Sequence, residues 1–172
     1  RLGLSVMASS LPTSFHAAPW SRTLMGISVL GTGFILAVGF LLAARGEPSG
    51  RLATWALVLL VAGALLFVVR GYQVRPGVIL VRRLLWTTRL PLAGLRSIEA
   101  DPEAMRGAIR VFGNGGLFSF TGRYRSPKLG GFRAYVTDPA RAVVLRFGDR
   151  VLVVSPGVPE AFVREVESAR GA

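Results

Sequence analysis

Cysteine is absent from this chain and lysine occurs once, at Lys128. The first absence removes both a disulfide framework and a thiolate metal site. The one histidine, His16, lies near the start of the sequence, so a Ser-His-Asp arrangement or a histidine metal site has no material in the body of the protein. Charge is scarce too. Only 17% of residues are charged against 51% hydrophobic, and the mean hydropathy of +0.50 is too high for an average soluble domain. A membrane segment is therefore expected. The formal net charge of +12 would suit nucleic acid or anionic lipid, but all but one of the 21 basic residues are arginine. Such a ratio reflects the coding bias of a GC-rich genome, so the charge is discounted and nucleic acid is not expected as a partner.

Two long apolar runs are present. Residues 1–23 are a polar, Ser/Pro-containing lead without periodicity, expected to be a disordered tail. Residues 24–44 then run for 21 positions without a charge, enough for a helix to cross a hydrocarbon core of about 30 Å and too long for the apolar region of a cleaved signal peptide. A polar turn, RGEPSGR, leads into a second run at 52–69. Together they predict a transmembrane helical hairpin over 24–70. Trp20, Trp55 and Tyr72 fall at the ends of the spans, where amphipathic rings settle. Arg22 precedes the first span and Arg70, Arg75, Arg82, Arg83 and Arg89 follow the second, which places both termini in the cytoplasm by the positive-inside rule. Ser28/Thr32 and Gly33/Ala37 offer small surfaces on which the helices could approach.

From Tyr72 onward, short β-type runs bounded by Gly, Pro, Asp or Ser predict a small antiparallel sandwich or barrel over 72–172. In LRF-GD-RVLVV, Gly148-Asp149 reads as a two-residue hairpin loop with positive φ at its first position, which puts Val143 and Leu145 on one face with Leu152 and Val154. The cover for that face is the amphipathic helix after Pro159, whose stripe is Phe162, Val163, Val166 and Ala169.

The order of strands and final helix resembles the pleckstrin-homology (PH) fold. GVILVRRLLWTTRLPLAGLRSIEA, FGNGG, KLGGFRAYVTD, AVVLRF, VLVVSP and PEAFVREV are similar to a bacterial PH-domain family usually found behind one or two membrane helices, over roughly residues 73–168. The resemblance implies a mainly-β PH-like barrel or sandwich closed by one C-terminal helix. It implies no catalytic residue and no agreed ligand.

The glycine-rich, aromatic stretch at 112–133, FGNGGLFSFTGRYRSPKLGGFR, is the best lure for a phosphate loop. It fails, because Gly113-Asn114-Gly115-Gly116 lacks a following Gly-Lys-Ser/Thr and Phe118 breaks GxGxxG. Asn-Gly-Gly instead predicts a turn, followed by a strand over 117–121 with Phe118 and Phe120 on the core face. Arg123, Arg125 and Lys128 are read as a basic loop that could face anionic lipid. Arg82, Arg83 and Arg89 flank the first predicted hairpin, where the PH resemblance implies basic residues for phosphoinositide. Solvated surface arginine is the competing reading for both sets. The acidic cluster Glu99, Asp101, Glu103 offers too few oxygens for a cation site and reads as a solvated turn around Pro102.

The expected protein is thus a membrane-anchored binding or scaffold protein at the bacterial inner membrane, without catalytic activity, metal or cofactor. Its partners are the bilayer and either anionic lipid headgroups or another membrane protein, with homo-oligomerisation open. The alternatives are an accessory subunit of a membrane transporter or enzyme complex and, behind it, a membrane enzyme using the acidic cluster.

Overall fold

The computed structural model describes residues 14–170. Helix α1 (Arg22–Ala44) and helix α2 (Pro48–Leu66) pack on each other across a tight turn. Ser21 caps α1, its hydroxyl accepting the Leu24 N–H at 3.1 Å, and Pro48 stands in the first turn of α2, where a missing N–H costs nothing. The helices approach at Gly39, whose carbonyl accepts a hydrogen bond from the Thr54 hydroxyl at 2.7 Å. Two of the small residues singled out above lie away from this contact. A Cβ on Gly33 would meet open space, and Ser28 faces the β domain.

Helix α2 runs 48–66 rather than 52–69. An apolar run looks the same whether it continues a membrane helix or begins a buried strand. Here Val69 is fully buried as the first residue of strand β2 (Val69–Arg75), and Tyr72, expected at an interface, is fully buried in the domain core.

Two sheets follow. The first is antiparallel, in the order β1 (Phe15–Ala17), β2, β3 (Val78–Arg83), β4 (Thr87–Pro91). The second has the order β5 (Leu95–Ala100), β9 (Val143–Phe147), β10 (Val151–Val154), β8 (Gly130–Val136), β7 (Phe120–Ser126), β6 (Ile109–Gly115). Every pairing in it is antiparallel except β8 with β10, which is parallel. Of the expected sandwich or barrel, the closed barrel is ruled out, since the two sheets stay separate, and the expected all-antiparallel pairing is corrected at β8–β10.

The main core lies between the sheets and under helix α3 (Pro159–Arg170). Leu145 pairs with Leu152 and Val143 with Val154, as the alternation requires, and Phe162, Val166 and Ala169 cover them. Fully burying Phe162 is worth roughly 2–3 kcal/mol on area grounds. The β9–β10 loop is the expected Gly148-Asp149, closed by the Phe147 N–H on the Arg150 carbonyl at 2.8 Å, but neither loop residue takes positive φ.

Three further expectations are overturned. The turn after β6 falls at Gly116–Ser119, not at the Asn-Gly pair, and Phe118 takes φ 66° instead of lying in a strand. Tertiary contact holds it there: its N–H reaches the Ser28 hydroxyl and its ring packs on Trp20. The glycines of this segment have a separate purpose. Gly113 (φ 114°) and Gly122 (φ 143°) are paired across β6–β7, and a Cβ on either would run into the opposite backbone. Finally, residues 14–21 do not form a free tail. They run as a strap along β2, with the Ser21 N–H on the Thr137 carbonyl at 3.2 Å and the Thr137 hydroxyl on the Pro19 carbonyl at 2.8 Å. Residues 1–13 of the expected tail lie outside the described residues.

Candidate functional site

Because the second sheet is the wider, part of its inner face is left open beside β4. On β7, Tyr124 points into a small core with Phe132 and Ala134, so Arg123 and Arg125 must point to the opposite side. On β8 the same alternation exposes Arg133, which stands directly opposite Arg123. Arg150 closes one end from the β9–β10 turn, its guanidinium 4.5 Å from the centre of the Phe147 ring, and Arg89 of β4 forms the facing wall. These five arginines and a single carboxylate, Asp149, line a groove of about 730 Å³.

The residues expected to form the site are thereby redistributed. Arg89, Arg123 and Arg125 share the groove, joined by Arg133 and Arg150, which the sequence reading missed. Arg123 and Arg125 lie on a strand, not in a loop. Lys128 stands apart, 2.6 Å from Asp101. Arg82 is exposed on β3 beside Arg70 in a separate depression of about 410 Å³. Arg83 is only 8% exposed. Its Nε donates to the Thr88 hydroxyl and a terminal nitrogen to the Phe67 carbonyl, both at 3.2 Å, while the rings of Phe67, Trp86 and Tyr135 surround its guanidinium at 5.3–5.6 Å. Burial is the main cause that lowers its pKa below the usual arginine value, and the Arg133 charge adds to it.

Burial also pushes the Tyr72 phenol up to about 12, as it does that of Tyr124. Tyr72 donates to the Tyr135 carbonyl and accepts the Ser155 N–H at 3.0 Å, binding the two sheets together.

Catalytic groupings fare differently from expectation in one case. His16 is not outside the domain: its Nε2 lies 2.6 Å from Glu165 on α3 and its ring meets Phe162 edge-on at 5.2 Å. Ser14 contacts the same nitrogen at 3.2 Å and also Glu165. A charge-oriented general base uses one ring nitrogen for the nucleophile and the other for the carboxylate. Here both partners converge on Nε2, so the cluster latches the strap to α3. The acidic cluster is divided among separate cations, Glu99 to Arg146 at 3.2 Å, Asp101 to Lys128, and Glu103 to Arg106 at 2.5 Å. Among the described residues, no group of three His, Cys, Asp or Glu is placed to hold a metal ion.

A mainly-β unit with one helix packed over its core is the arrangement of a pleckstrin-homology-type domain. The family model described as bacterial PH domain matches residues 70–170, and the chain belongs to that family. No curated protein and no solved structure matches the chain.

Proposed function

We propose that this protein is a membrane-anchored binding or scaffold protein that holds its PH-like domain at the cytoplasmic face of the bacterial inner membrane, with no catalysis of its own. The observation that carries this reading is the contrast between the two ends of the hairpin. Along most of their length α1 and α2, each long and apolar enough to cross a bilayer, leave large side chains such as Phe34, Phe40 and Leu59 exposed. In water such a surface would be a severe liability, and hydrocarbon accommodates it. At the domain end the β6–β7 turn grips α1 at Ser28 and the C-cap of α2 at Phe67, whose carbonyl accepts from the Ser119 hydroxyl, so the five-arginine groove is held against the hairpin rather than swinging on a linker. Confinement to a surface raises the effective concentration of the groove towards acidic partners there.

Washing membranes that contain the full chain at alkaline pH tests the anchor. The chain is expected to stay in the pellet, and its release into the supernatant would overturn the reading. Recovery in detergent of one stoichiometric membrane protein, lost when the hairpin is replaced by an unrelated anchor, would favour the accessory-subunit alternative.

A further inference from the structure

Beside the groove a second cavity, of about 740 Å³, opens between the end of α2 and the inner face of β6–β8. Its two ends differ in chemistry. At the helix end are Gly63 and Ala64, with Phe112 of β6 standing 77% exposed nearby. At the domain end are Arg83, Arg123 and Arg133. None of the three arginines has a carboxylate partner among the ion pairs of the described residues. Arg123 and Arg133 are direct cross-strand neighbours, an arrangement that costs stability unless an anion lies between them. Arg83 is a buried cation surrounded by aromatic rings, the Thr88 hydroxyl and the Phe67 carbonyl, none of which carries a formal negative charge.

We propose that this cavity binds one anionic bilayer phospholipid, its phosphate on Arg123 and Arg133 and its acyl chains along Gly63 and Ala64 of α2. The planar forks of two opposed arginines suit phosphate oxygens, and Arg83 adds a fixed positive charge behind them. The apolar end selects a lipid over a free phosphate ester, because a soluble anion would leave that wall against water. A zwitterionic headgroup brings its own cation and satisfies the arginines less well. The proposal rests on the membrane-anchored reading, which alkaline washing tests separately.

The experiment is native mass spectrometry of the full chain in detergent, titrated with phosphatidylglycerol or with phosphatidylcholine of the same acyl chains. One phosphatidylglycerol per chain is expected to be retained in preference to phosphatidylcholine. Arg123→Ala with Arg133→Ala, both at exposed positions, should weaken phosphatidylglycerol binding on the order of thirtyfold. Gly63→Leu should also weaken it, since a Cβ at Gly63 meets nothing within 4 Å and the larger side chain can fill the apolar end without a clash. Arg164→Ala, exposed on α3 and lining neither this cavity nor the groove, should leave it unchanged. Equal retention of the two lipids, or indifference to the double substitution, overturns the site. Displacement of phosphatidylglycerol by equimolar glycerol 3-phosphate would assign it to a soluble anion instead. A chain that resists alkaline washing yet shows no headgroup preference contradicts the lipid site alone.

Discussion

Ser28 and Phe118, 90 positions apart, are joined by a hydrogen bond of 2.8 Å from the Phe118 N–H to the Ser28 hydroxyl. The same hydroxyl donates to the Gly116 carbonyl at 3.3 Å. One small polar side chain on an apolar helix thus satisfies two backbone groups of a β-turn, and Leu117 meets α1 at Gly31 one turn further along. This contact makes the hairpin and the PH-like domain one unit.

Replacing Ser28 by Ala leaves both backbone groups buried without that partner, a loss of about 1–3 kcal/mol. The expected outcome is a lower melting temperature of the full chain in detergent, with faster proteolysis at Gly116–Ser119. Unchanged protection of that turn would show that Ser28 does not hold it.

Gly122→Ala is expected to be more damaging than its small size suggests. The new Cβ would collide with the backbone at Phe112 while φ stays at 143°, a region alanine avoids. A destabilisation of roughly 2–4 kcal/mol is expected. Chemical denaturation of the purified chain checks it, with Gly131→Ala, whose Cβ meets nothing within 4 Å, as the tolerant control.

Tyr72 supplies a pH dependence of defined sign. Its pKa is raised from 10.0 to about 12 in the folded protein, so between those values the folded state holds a proton that the unfolded state has released. The stabilisation is fully present below pH 10 and is lost as pH rises towards 12, an amount on the order of 2–3 kcal/mol. Tyr124 adds to the same trend. Tyr72→Phe should flatten the alkaline limb of a stability–pH curve while lowering stability at neutral pH, because the Ser155 N–H and the Tyr135 carbonyl lose their partner. An unaltered alkaline limb in the variant would contradict the assignment.

What could be read in advance follows from how local each signal is. The apolar runs, the α3 stripe and the Leu145–Leu152 register are set by neighbours in sequence, and periodicity reports them. Tyr72, His16 and Phe118 lie away from their expected places because each is fixed by a partner far along the chain: Ser155, Glu165 and Ser28 respectively. The groove was half legible. Arg89, Arg123 and Arg125 could be named as basic and exposed, but Arg133 joins them only through the β7–β8 register, and Arg150 through the placement of β10 beside β8. Pairing Arg123 with Arg133 across the Ser126–Gly130 turn was the available signal for the first. No alternation pattern points to the second.

A membrane-crossing hairpin puts the domain and the inter-helix turn on opposite sides of the bilayer. The lack of cysteine makes this directly measurable, since any thiol introduced is the only one present. Ser49, exposed at the start of α2, and Ser168, exposed on α3, can each be changed to Cys with little steric consequence and treated with a membrane-impermeant maleimide. Ser49→Cys is predicted to react in intact spheroplasts and Ser168→Cys only after the membrane is opened. Reaction of both thiols in intact spheroplasts, or of Ser168→Cys alone, would contradict a cytoplasmic PH-like domain held by a membrane-crossing hairpin.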